Sequence, residues 1–423
     1  MEAINQESVV SPGDIKEAPI SLTTTDTNLT GSWKFFRPCF AEKISPCRAA
    51  CPLHNDVPAV LKQVSSQDMD QALSLLRQSN PLPAVTGRVC PNFCQQQCTR
   101  ARCDQEVLVG CVERTLGDFG LDKPFPRPEA LRSERVAVVG SGPAGLAAAA
   151  FLARRGIQVT VFERDSEPGG MLRYGIPAYR LPRDVLAREV DNLITSLGIE
   201  LKCSHPVSSE EVPGMLQEYD FLFCAPGLWG SITPETFAGR AGVLHGLDLL
   251  KSIGTGRHPD GQTFGVIGGG NVAVDVARSL VRLGKKVKIV YRRSFADMPA
   301  YDHEKIQALE EGVELLEKRV VTGIEQTGTG LELTLNQAEE DQGSIRPGAA
   351  AGHLGVDRLV LAVGQAPHME IADHDRILIG GDVKLGPATV VQAMATGKEA
   401  ASEILARLGL EAQKEPDWAG LRV

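Results

Sequence analysis

The strongest constraint on the fold is an apolar segment that runs into a glycine-rich turn, Val136-Ala-Val-Val-Gly-Ser-Gly-Pro-Ala-Gly145. Its first four residues predict a buried strand, and the alanine-rich stretch that follows predicts a helix. Gly140, Gly142 and Gly145 have the G-x-G-x-x-G spacing of a dinucleotide-binding turn. The first glycine permits the turn, the second lets a pyrophosphate approach, and the third lets the helix pack on the strand. The phosphates are expected at the positive end of the helix.

A second strand with an acidic end supports this interpretation. Residues 158–162 read Gln-Val-Thr-Val-Phe, and Glu163 follows, 23 residues after Gly140. A ribose hydroxyl needs an acceptor at about this distance from the turn. A lone G-x-G-x-x-G sequence is weak evidence, because chance glycine turns share it. Strand, turn, helix, second strand and acid together favour a nucleotide site.

The same pattern recurs in residues 263–273, which predict a strand, a glycine turn and a helix. The fingerprint here is Gly268, Gly270 and Ala273, the accepted G-x-G-x-x-A variant. The next predicted strand, 287–291, ends in Arg292-Arg293 instead of an acid. Two guanidiniums suit the 2′-phosphate of NADP(H), although a solvated pair at a strand end is the simpler alternative. We therefore expect FAD at the first site and a nicotinamide nucleotide at the second.

The C-terminal part supports a flavin. Residues 377–379 predict a last strand, followed by Gly381 and Asp382, an acid suited to the ribityl–phosphate region. A helix opening at Gly386-Pro-Ala388 would point its positive end at the N1–C2 edge of the flavin. That would stabilise the anionic reduced ring.

Composition excludes some function classes. The 423 residues carry a net charge of −9, which gives no electrostatic case for binding nucleic acid or an anionic membrane. No apolar run reaches the roughly 18 residues of a membrane span. The first ten residues, MEAINQESVV, have neither the basic region nor the apolar core of a signal peptide. We therefore expect a cytoplasmic protein.

Eight of the ten cysteines lie between Cys39 and Cys111. Without an export signal, disulfides are improbable, and a cysteine cluster indicates metal. Zinc is one alternative. Cysteine followed by proline also occurs in ferredoxins, and a neighbouring flavin gives a reason for electron relay, so iron–sulfur clusters are favoured.

The coarse secondary structure is α/β. Apolar spacing predicts a helix pair over 57–79 with a break near Ser65-Ser66, and helices over 106–119 and 183–197. Residues 169–182 are rich in glycine and proline and predict irregular structure. Residues 319–363 predict a short β-meander with a polar excursion at 325–353.

The motifs resemble those of the glutamate synthase small (β) subunit family, which includes the N-terminal part of dihydropyrimidine dehydrogenase and the large subunit of the bifurcating ferredoxin–NADP transhydrogenase. The resemblance covers about residues 31 to 405. The stretches that carry it are Cys47-x3-Cys51-Pro, Gly87-Arg-Val-Cys-Pro, Cys90-x3-Cys94-x3-Cys98, Gly-Gly-Met-Leu-Arg-Tyr-Gly-Ile-Pro (169–177), Gly268-Gly-Gly-Asn, Tyr291-Arg-Arg and Gly381-Asp followed by Gly-Pro-Ala-Thr-Val.

The resemblance implies a helical domain with two [4Fe–4S] clusters, then an FAD domain interrupted by an NAD(P) domain. We place an extended arm at 1–30, the cluster domain at 31–130, the FAD domain at 131–260 and 364–423, and the NAD(P) domain at 261–363. The residues expected to bind FAD or the nicotinamide nucleotide are Gly140, Gly142, Pro143, Ala144, Gly145, Glu163, Arg164, Gly170, Met171, Leu172, Tyr174, Gly175, Ile176, Arg180, Gly227, Gly268, Gly270, Asn271, Val272, Arg292, Arg293, Gly364, Gly381, Asp382, Pro387, Ala388 and Thr389.

The resemblance also implies cluster ligands. One cluster would take Cys51, Cys90, Cys94 and Glu113, and the other Cys39, Cys47 and Cys98. The family's first loop reads C-x2-C-x4-C-x3-C, and its second cysteine falls on Glu42 here, which leaves the fourth ligand of the second cluster open between Cys103, Glu42 and Cys111. Two further departures lie near the expected nucleotides: Cys224-Ala-Pro-Gly227 replaces Ala-Thr-Gly, and the span between Gly364 and Gly381 is short.

These features predict an electron-transfer subunit of a larger hetero-oligomeric complex. A flavin accepts the two electrons of a hydride and releases them singly to clusters. Candidate partners are the glutamate synthase large subunit and a tungsten, molybdenum or other Fe–S oxidoreductase. No Cys-x-x-Cys adjoins the flavin motifs, which argues against a disulfide reductase. The alternatives are a true glutamate synthase small subunit and a scaffold with vestigial cofactor sites.

Overall fold

The computed structural model describes residues 44–128, 130–328, 330–341 and 343–410. The predicted arm at 1–30, Cys39 and Glu42 lie outside them. The first described part is helical, as predicted, with a 3-10 turn at Thr99–Arg102. Its helices are α1 (Pro46–Ala50), α2 (Val57–Ser65), α3 (Met69–Ser79), α4 (Pro83–Val89), α5 (Phe93–Gln96) and α6 (Val109–Gly120).

Local capping explains the predicted helix pair. The side chain of Asp56 accepts a hydrogen bond from the N–H of Ala59 at 3.1 Å, and Asp68 accepts one from Gln71 at 3.0 Å. Each aspartate therefore satisfies a free donor at the start of α2 or α3. The break between the two helices confirms the predicted interruption.

Helices α4 and α6 approach each other backbone to backbone. A Cβ atom on Gly117 would lie 2.2 Å from the N atom of Ala84, and one on Gly87 would lie 2.3 Å from the N atom of Arg114. Only glycine permits this approach. The close packing matters because α4 leads into Cys90 and α6 carries Glu113.

The next part alternates strands and helices. Its elements are β1 (Arg135–Val139), α7 (Pro143–Ala153), β2 (Gln158–Phe162), α8 (Met171–Tyr174), α9 (Arg183–Leu197), β3 (Glu200–Lys202), α10 (Val212–Met215) and β4 (Phe221–Cys224). The predicted strand at 158–162 and the predicted helix at 183–197 have the predicted bounds. Residues 169–182 are mostly irregular, as predicted, and their regular structure is the single turn of α8.

The remaining elements form a second unit and then return to the first. The second unit contains β5 (Gly230–Ser231), β6 (Val243–His245), α11 (Gly246–Gly254), β7 (Thr263–Ile267), α12 (Asn271–Arg282), β8 (Lys286–Tyr291), α13 (Asp302–Glu310), β9 (Glu314–Glu317), β10 (Arg319–Thr327), β11 (Gly330–Asp341), β12 (Ser344–Val356), β13 (Arg358–Leu361) and β14 (Gln365–Ala366). The returning elements are β15 (Ile377–Ile379), α14 (Asp382–Leu385) and α15 (Val390–Arg407).

Two parallel sheets organise these elements. The first has the strand order β15-β4-β1-β2-β3, and the second has the order β6-β13-β7-β8-β9. Strand β15 pairs with β4 although the whole second unit separates them in sequence. This confirms the predicted α/β architecture, in which one nucleotide-binding fold is interrupted by another.

Two predicted boundaries are wrong. The second unit begins before residue 261, because β6 already pairs with β13 in the second sheet. Its three residues are too few for a recognisable apolar pattern. The predicted polar excursion at 325–353 is also wrong, since β11 and β12 pair antiparallel through it, from Leu331 opposite Val356 to Asp341 opposite Ser344. Much of β12 faces solvent, and its sequence is rich in glycine and alanine and contains a proline, so it lacks the apolar alternation of a half-buried strand.

A buried acid fixes the helical part against the first sheet. The two carboxylate oxygens of Glu189, on α9, accept hydrogen bonds from the N–H groups of Ala84 and Val85 at 2.7 and 2.8 Å. These donors lie in the first turn of α4, where they lack partners within the helix. Leu53 and Leu82 join the same core as α7 and α9. Within the described residues, no helix is long and apolar enough to cross a membrane.

Candidate functional site

Both predicted nucleotide turns open into a single cavity of about 1230 Å³. The carboxyl ends of both parallel sheets face it, as expected for nucleotide-binding folds of this kind. The predicted cofactor residues that line it are Gly140, Gly142, Pro143, Ala144, Glu163, Arg164, Gly170, Met171, Gly175, Ile176, Arg180, Gly227, Gly268, Gly270, Asn271, Val272, Arg292, Arg293, Gly364, Gly381, Asp382, Pro387, Ala388 and Thr389.

The glycines of the two turns have matching surroundings. A Cβ atom on Gly140 would lie 2.4 Å from the carbonyl oxygen of Ala225, and one on Gly268 would lie 2.3 Å from that of Ala362. By contrast, a Cβ atom on Gly142 or Gly270 would meet nothing within 4 Å. The first glycine of each turn therefore permits a close backbone contact. The second leaves open space at the start of a helix, where a pyrophosphate fits.

Three of the predicted cofactor residues do not line the cavity. Gly145 supports the turn from behind, since a Cβ atom there would lie 1.9 Å from the carbonyl oxygen of Gly140. Leu172 is fully buried in the core of the first sheet. Tyr174 is also buried, and its hydroxyl donates to the carbonyl of Glu167 at 3.4 Å. The glycine-rich motif thus supplies packing as well as cavity surface.

Three helices begin at the wall of this cavity. Residues at the start of α7, α12 and α15 all line it. The start of α15 is fixed by reciprocal bonds, in which Thr389 accepts from the N–H of Gln392 at 3.3 Å and donates its own N–H to that side chain at 3.0 Å. Three positive helix ends make the cavity favourable for anionic groups such as phosphates.

Glu163 is buried at the end of β2. Its Oε2 accepts hydrogen bonds from the N–H of Ser141, at 3.0 Å, and from the Ser141 hydroxyl, while Oε1 accepts from the N–H of Asp165 at 2.9 Å. A carboxylate can accept about four hydrogen bonds, so capacity for a ribose hydroxyl remains. Sequence reasoning missed Ser141, whose position within the glycine turn was the available signal.

Arg292 and Arg293 line the cavity at the end of β8. In the described part of the chain, neither guanidinium forms an ion pair, which leaves both available to an anionic group. The ring of Tyr291 lies under the second turn, since a Cβ atom on Gly269 would be 2.4 Å from it. Its hydroxyl donates to the carbonyl of Asp297 at 2.9 Å.

A buried ion-pair network adjoins the cavity. The guanidinium of Arg180 contacts Oδ2 of Asp275 at 2.7 Å and Oε1 of Glu304 at 2.9 Å, and the three side chains are 11%, 7% and 7% exposed. Burial raises the pKa of Asp275 to about 6, although Arg180 and Arg278 lower it. Its other oxygen, Oδ1, is buried and has no partner among the described residues. Sequence reasoning missed Asp275, a single acid within the apolar start of α12.

Asp382 lies beside the start of α15. Burial raises its pKa to about 6, and a hydrogen bond from the backbone of Ala388 lowers it. The preceding Gly381 has a φ of +68° and donates its N–H to the hydroxyl of Thr396 at 2.7 Å. The turn is therefore fixed in a conformation that favours glycine and presents the acid to the cavity.

The predicted ligands of the first cluster come from four different segments. Cys51 follows α1, Cys90 follows α4, Cys94 lies in α5 and Glu113 lies in α6. The Oε1 atom of Glu113 accepts from the hydroxyl of Thr86 at 3.0 Å and from the amides of Asn55, at 3.3 Å, and Asn80. Within the described residues, its hydrogen bonds all end on Oε1, which leaves Oε2 as a potential ligand atom.

The surroundings of these four groups favour a bound cation. Burial raises the pKa of Glu113 to about 7, that of Cys51 to about 11 and that of Cys90 to about 12. Burial also raises the pKa of Cys94, and the charges of Cys51, Glu113 and Cys90 raise it further. Burial therefore favours the protonated forms of these groups, and their deprotonation requires a positive centre to compensate the buried charge. This donor set fits an iron–sulfur cluster.

The second predicted set is only partly described. Burial raises the pKa of Cys47, and the charge of Cys98 raises it further. The sulfur of Cys98 accepts from the N–H of Val107 at 3.5 Å. Cys103 and Cys111 are exposed, and Cys39 lies outside the described residues. In the described part of the chain, no three Cys, His, Asp or Glu side chains are arranged to hold a single metal ion.

The cavity and the cysteine site share a wall. Val89, the residue before Cys90, lines the cavity. Tyr301 also lines it, from the second unit. Burial raises the pKa of Tyr301, Arg180 lowers it and the charge of Cys90 raises it. A cluster held by Cys90 would therefore adjoin the cavity through Val89.

Comparison with known proteins agrees with this architecture. A family model described as pyridine nucleotide-disulphide oxidoreductase matches residues 134–411, and one described as dihydropyrimidine dehydrogenase domain II, 4Fe-4S cluster, matches residues 36–124. These matches imply binding of FAD and NAD(P)H and of a [4Fe–4S] cluster.

Two relatives match most of this chain. The chain is 33% identical to the NADP(+)-dependent formate dehydrogenase subunit beta of Moorella thermoacetica over 85% of this chain and 59% of that one. It is 31% identical to the glutamate synthase [NADPH] small chain of Escherichia coli over 85% of this chain and 88% of that one. The chain spans about six tenths of the length of the first of these relatives.

A solved structure shows the fold. FprA of Mycobacterium tuberculosis in complex with NADPH superposes with a TM-score of 0.53 at 18% identity, covering 68% of this chain and 88% of that one. The two family models and the relatives confirm the predicted family. The chain belongs to the pyridine nucleotide-disulphide oxidoreductase family and, within it, to the oxidoreductases that resemble the glutamate synthase small chain.

Proposed function

We propose that this oxidoreductase is an electron-transfer subunit, which carries electrons between NADP(H) and a partner redox enzyme through FAD and two [4Fe–4S] clusters. The shared wall between the nucleotide cavity and Cys90 carries this proposal. A cavity that binds two nucleotides and adjoins a metal site suits the conversion of a hydride into single electrons. FAD, when bound, supplies that conversion.

The residues around the cavity have distinct roles in this proposal. Glu163 accepts the FAD ribose hydroxyls, and the start of α7 receives the pyrophosphate at Gly142. The start of α15 and Asp382 hold the flavin end. At the second turn, Gly270 leaves room for the nicotinamide nucleotide, and Arg292 and Arg293 receive its 2′-phosphate.

The cysteine sites supply the exit route. Cys51, Cys90, Cys94 and Glu113 hold the cluster near the cavity, and Cys47 and Cys98 hold the outer cluster with Cys39. All nine described cysteines are free thiols. A reducing, cytoplasmic location is part of the proposal, because disulfides would remove these ligands. The relatives named as subunits support a larger complex as the setting, with a Fe–S, tungsten or molybdenum enzyme as the partner.

A true glutamate synthase small subunit is the second candidate, favoured by the length match with the Escherichia coli protein. Under the main proposal, the isolated chain reduces artificial acceptors with NADPH but does not form glutamate. Glutamate formation on adding only a glutamate synthase large subunit would favour the second candidate instead.

Cluster-dependent electron flow tests the proposal. Full-length protein, purified anaerobically, should contain about eight irons and one FAD per chain. In a Cys94→Ser variant, NADPH should still bleach the flavin near 450 nm, while reduction of a one-electron protein acceptor should be lost. Cys203→Ser, a change at a half-buried cysteine of the FAD domain, is the matched control and should behave like wild type. Equal rates of acceptor reduction in both variants would contradict the proposed route.

A further inference from the structure

Four side chains meet where the chain passes between the two sheet units. The guanidinium of Arg164 lies 4.8 Å from the ring of Trp229, and the ammonium of Lys251 lies 5.5 Å from the same ring. A hydrogen bond of 3.1 Å joins Nη1 of Arg164 to Nε2 of His368. Two cations therefore contact the same indole ring, and cation–π attraction stabilises the position of the ring.

The four residues come from different segments. Arg164 follows β2, Trp229 precedes β5, Lys251 lies on α11 and His368 follows β14. Strands β5 and β14 pair antiparallel, with Gly230 opposite Ala366, so Trp229 and His368 emerge at the same end of this pair. The two chain connections between the sheet units therefore bring these side chains together.

This group of four side chains adjoins the cavity. Arg164, Trp229 and His368 all line it, and Arg164 and His368 are also exposed to solvent. Glu163, the buried acceptor of the first nucleotide site, is the residue immediately before Arg164. Lys251 supports the arrangement from outside by an ion pair of 2.5 Å with Asp165 and by its approach to the ring of Tyr174 at 4.8 Å.

We propose that Arg164, Trp229 and His368 form a lid over the adenosine half of FAD and slow its release. This rests on the assignment of FAD to the first site. The lid has one side from the FAD domain and another from the two connections to the NAD(P) domain. An adenosine bound above Glu163 would have this layer between itself and solvent, so the contacts of Trp229 with Arg164 and Lys251 would have to open before FAD leaves.

The rate at which the holoprotein releases FAD tests the lid directly. After dilution, the rise in flavin fluorescence reports free FAD without any turnover. The Trp229→Ala variant should release FAD about 5- to 25-fold faster than wild type, which corresponds to about 1–2 kcal/mol at about 1.4 kcal/mol per tenfold change. Trp229→Phe keeps an aromatic face and should show a smaller effect.

Arg164→Met removes the same contact from the other side, at an exposed position. It should also accelerate release, and the Trp229→Ala/Arg164→Met double variant should release FAD no more than about twice as fast as the faster single variant. Arg188→Met, which removes an exposed arginine of the same domain, is the control and should release FAD at the wild-type rate.

Several results would overturn the lid. One is release of FAD at the wild-type rate from the Trp229→Ala and Arg164→Met variants, when circular dichroism shows that both are folded. Another is unchanged FAD release with weakened NADPH binding, which would place the lid over the other nucleotide. Multiplicative effects in the double variant would mean that the side chains act separately. Wild-type protein without FAD would refute the assignment of the first site itself, and the lid with it.

Discussion

Removal of Arg180 should destabilise the protein, and more so at higher pH. Arg180 contacts Asp275 and Glu304, and all three side chains are nearly buried. In an Arg180→Met variant, Glu304 keeps its contact with Arg278, but Asp275 loses the cation 2.7 Å from its Oδ2. Breaking a buried ion pair from one side typically costs about 3–5 kcal/mol.

The pH dependence follows from the pKa of Asp275. Its folded value, raised to about 6, exceeds the ordinary value of 3.8, so its contribution to stability is complete below pH 3.8 and is lost as pH rises through about 6. Loss of the neighbouring cation should raise the folded pKa further. The variant therefore loses additional stability as pH rises above about 6. Each further unit of rise in the pKa corresponds to about 1.4 kcal/mol of lost stability.

Urea unfolding of the holoprotein, followed by circular dichroism at about pH 5.5 and pH 8, measures this difference. The variant should lose about 1–2 kcal/mol more of its free energy of unfolding at the higher pH. Arg188→Met breaks an exposed pair with Asp122 and should leave the unfolding midpoint unchanged at both pH values. An equal loss at both pH values, or a greater loss at low pH, would refute the reasoning about Asp275.

Two further predictions concern the nucleotide turns. The Gly142→Val variant should fold, because its side chain has room in the protein, but it should lose FAD, because that side chain occupies the space of the pyrophosphate. A variant that purifies with full flavin would contradict the assignment of FAD to the first site. An Arg292→Ala/Arg293→Ala double variant should bind NADPH about 10- to 150-fold more weakly, from about 1.5–3 kcal/mol of lost charge-assisted contact, with NADH little changed. Titration of nucleotide fluorescence measures both affinities, and wild-type preference for NADH would remove the basis of that prediction.

Much of the fold could be predicted because the glycine turns combine several independent constraints. An apolar strand, a turn, a helix and a second strand must all follow one another at the right spacing, and the same series recurs in the second unit. The strand β6 has three residues and no pattern of its own, so its membership of the second sheet depends on pairing with β13, which no local signal reveals. The hairpin of β11 and β12 was obscured because the solvent-facing residues of β11 are polar, while β12 contains the proline and several glycines that are typical of a loop.

The site was predicted where motifs mark backbone geometry and missed where distant side chains meet. Gly140 and Gly142 have sequence signatures because the turn needs glycine. The Arg180–Asp275 pair joins residues 95 positions apart and has no local signature. Leu172 and Tyr174 belong to a matching motif but face the core, since a motif records packing requirements as well as contacts with a cofactor.

The return of β15 to β4 has a consequence for synthesis on the ribosome. The first sheet remains incomplete until Ile377–Ile379 emerges, because these residues pair with the edge of β4. Residues 225–376 must be translated first, which takes about 8–30 s at typical elongation rates of about 5–20 residues per second. During that interval, Phe221–Cys224 presents an unpaired apolar edge that can join a strand of another chain. Early folding of the inserted unit, whose ends meet at β5 and β14, brings the last strand back to that edge and shortens its exposure.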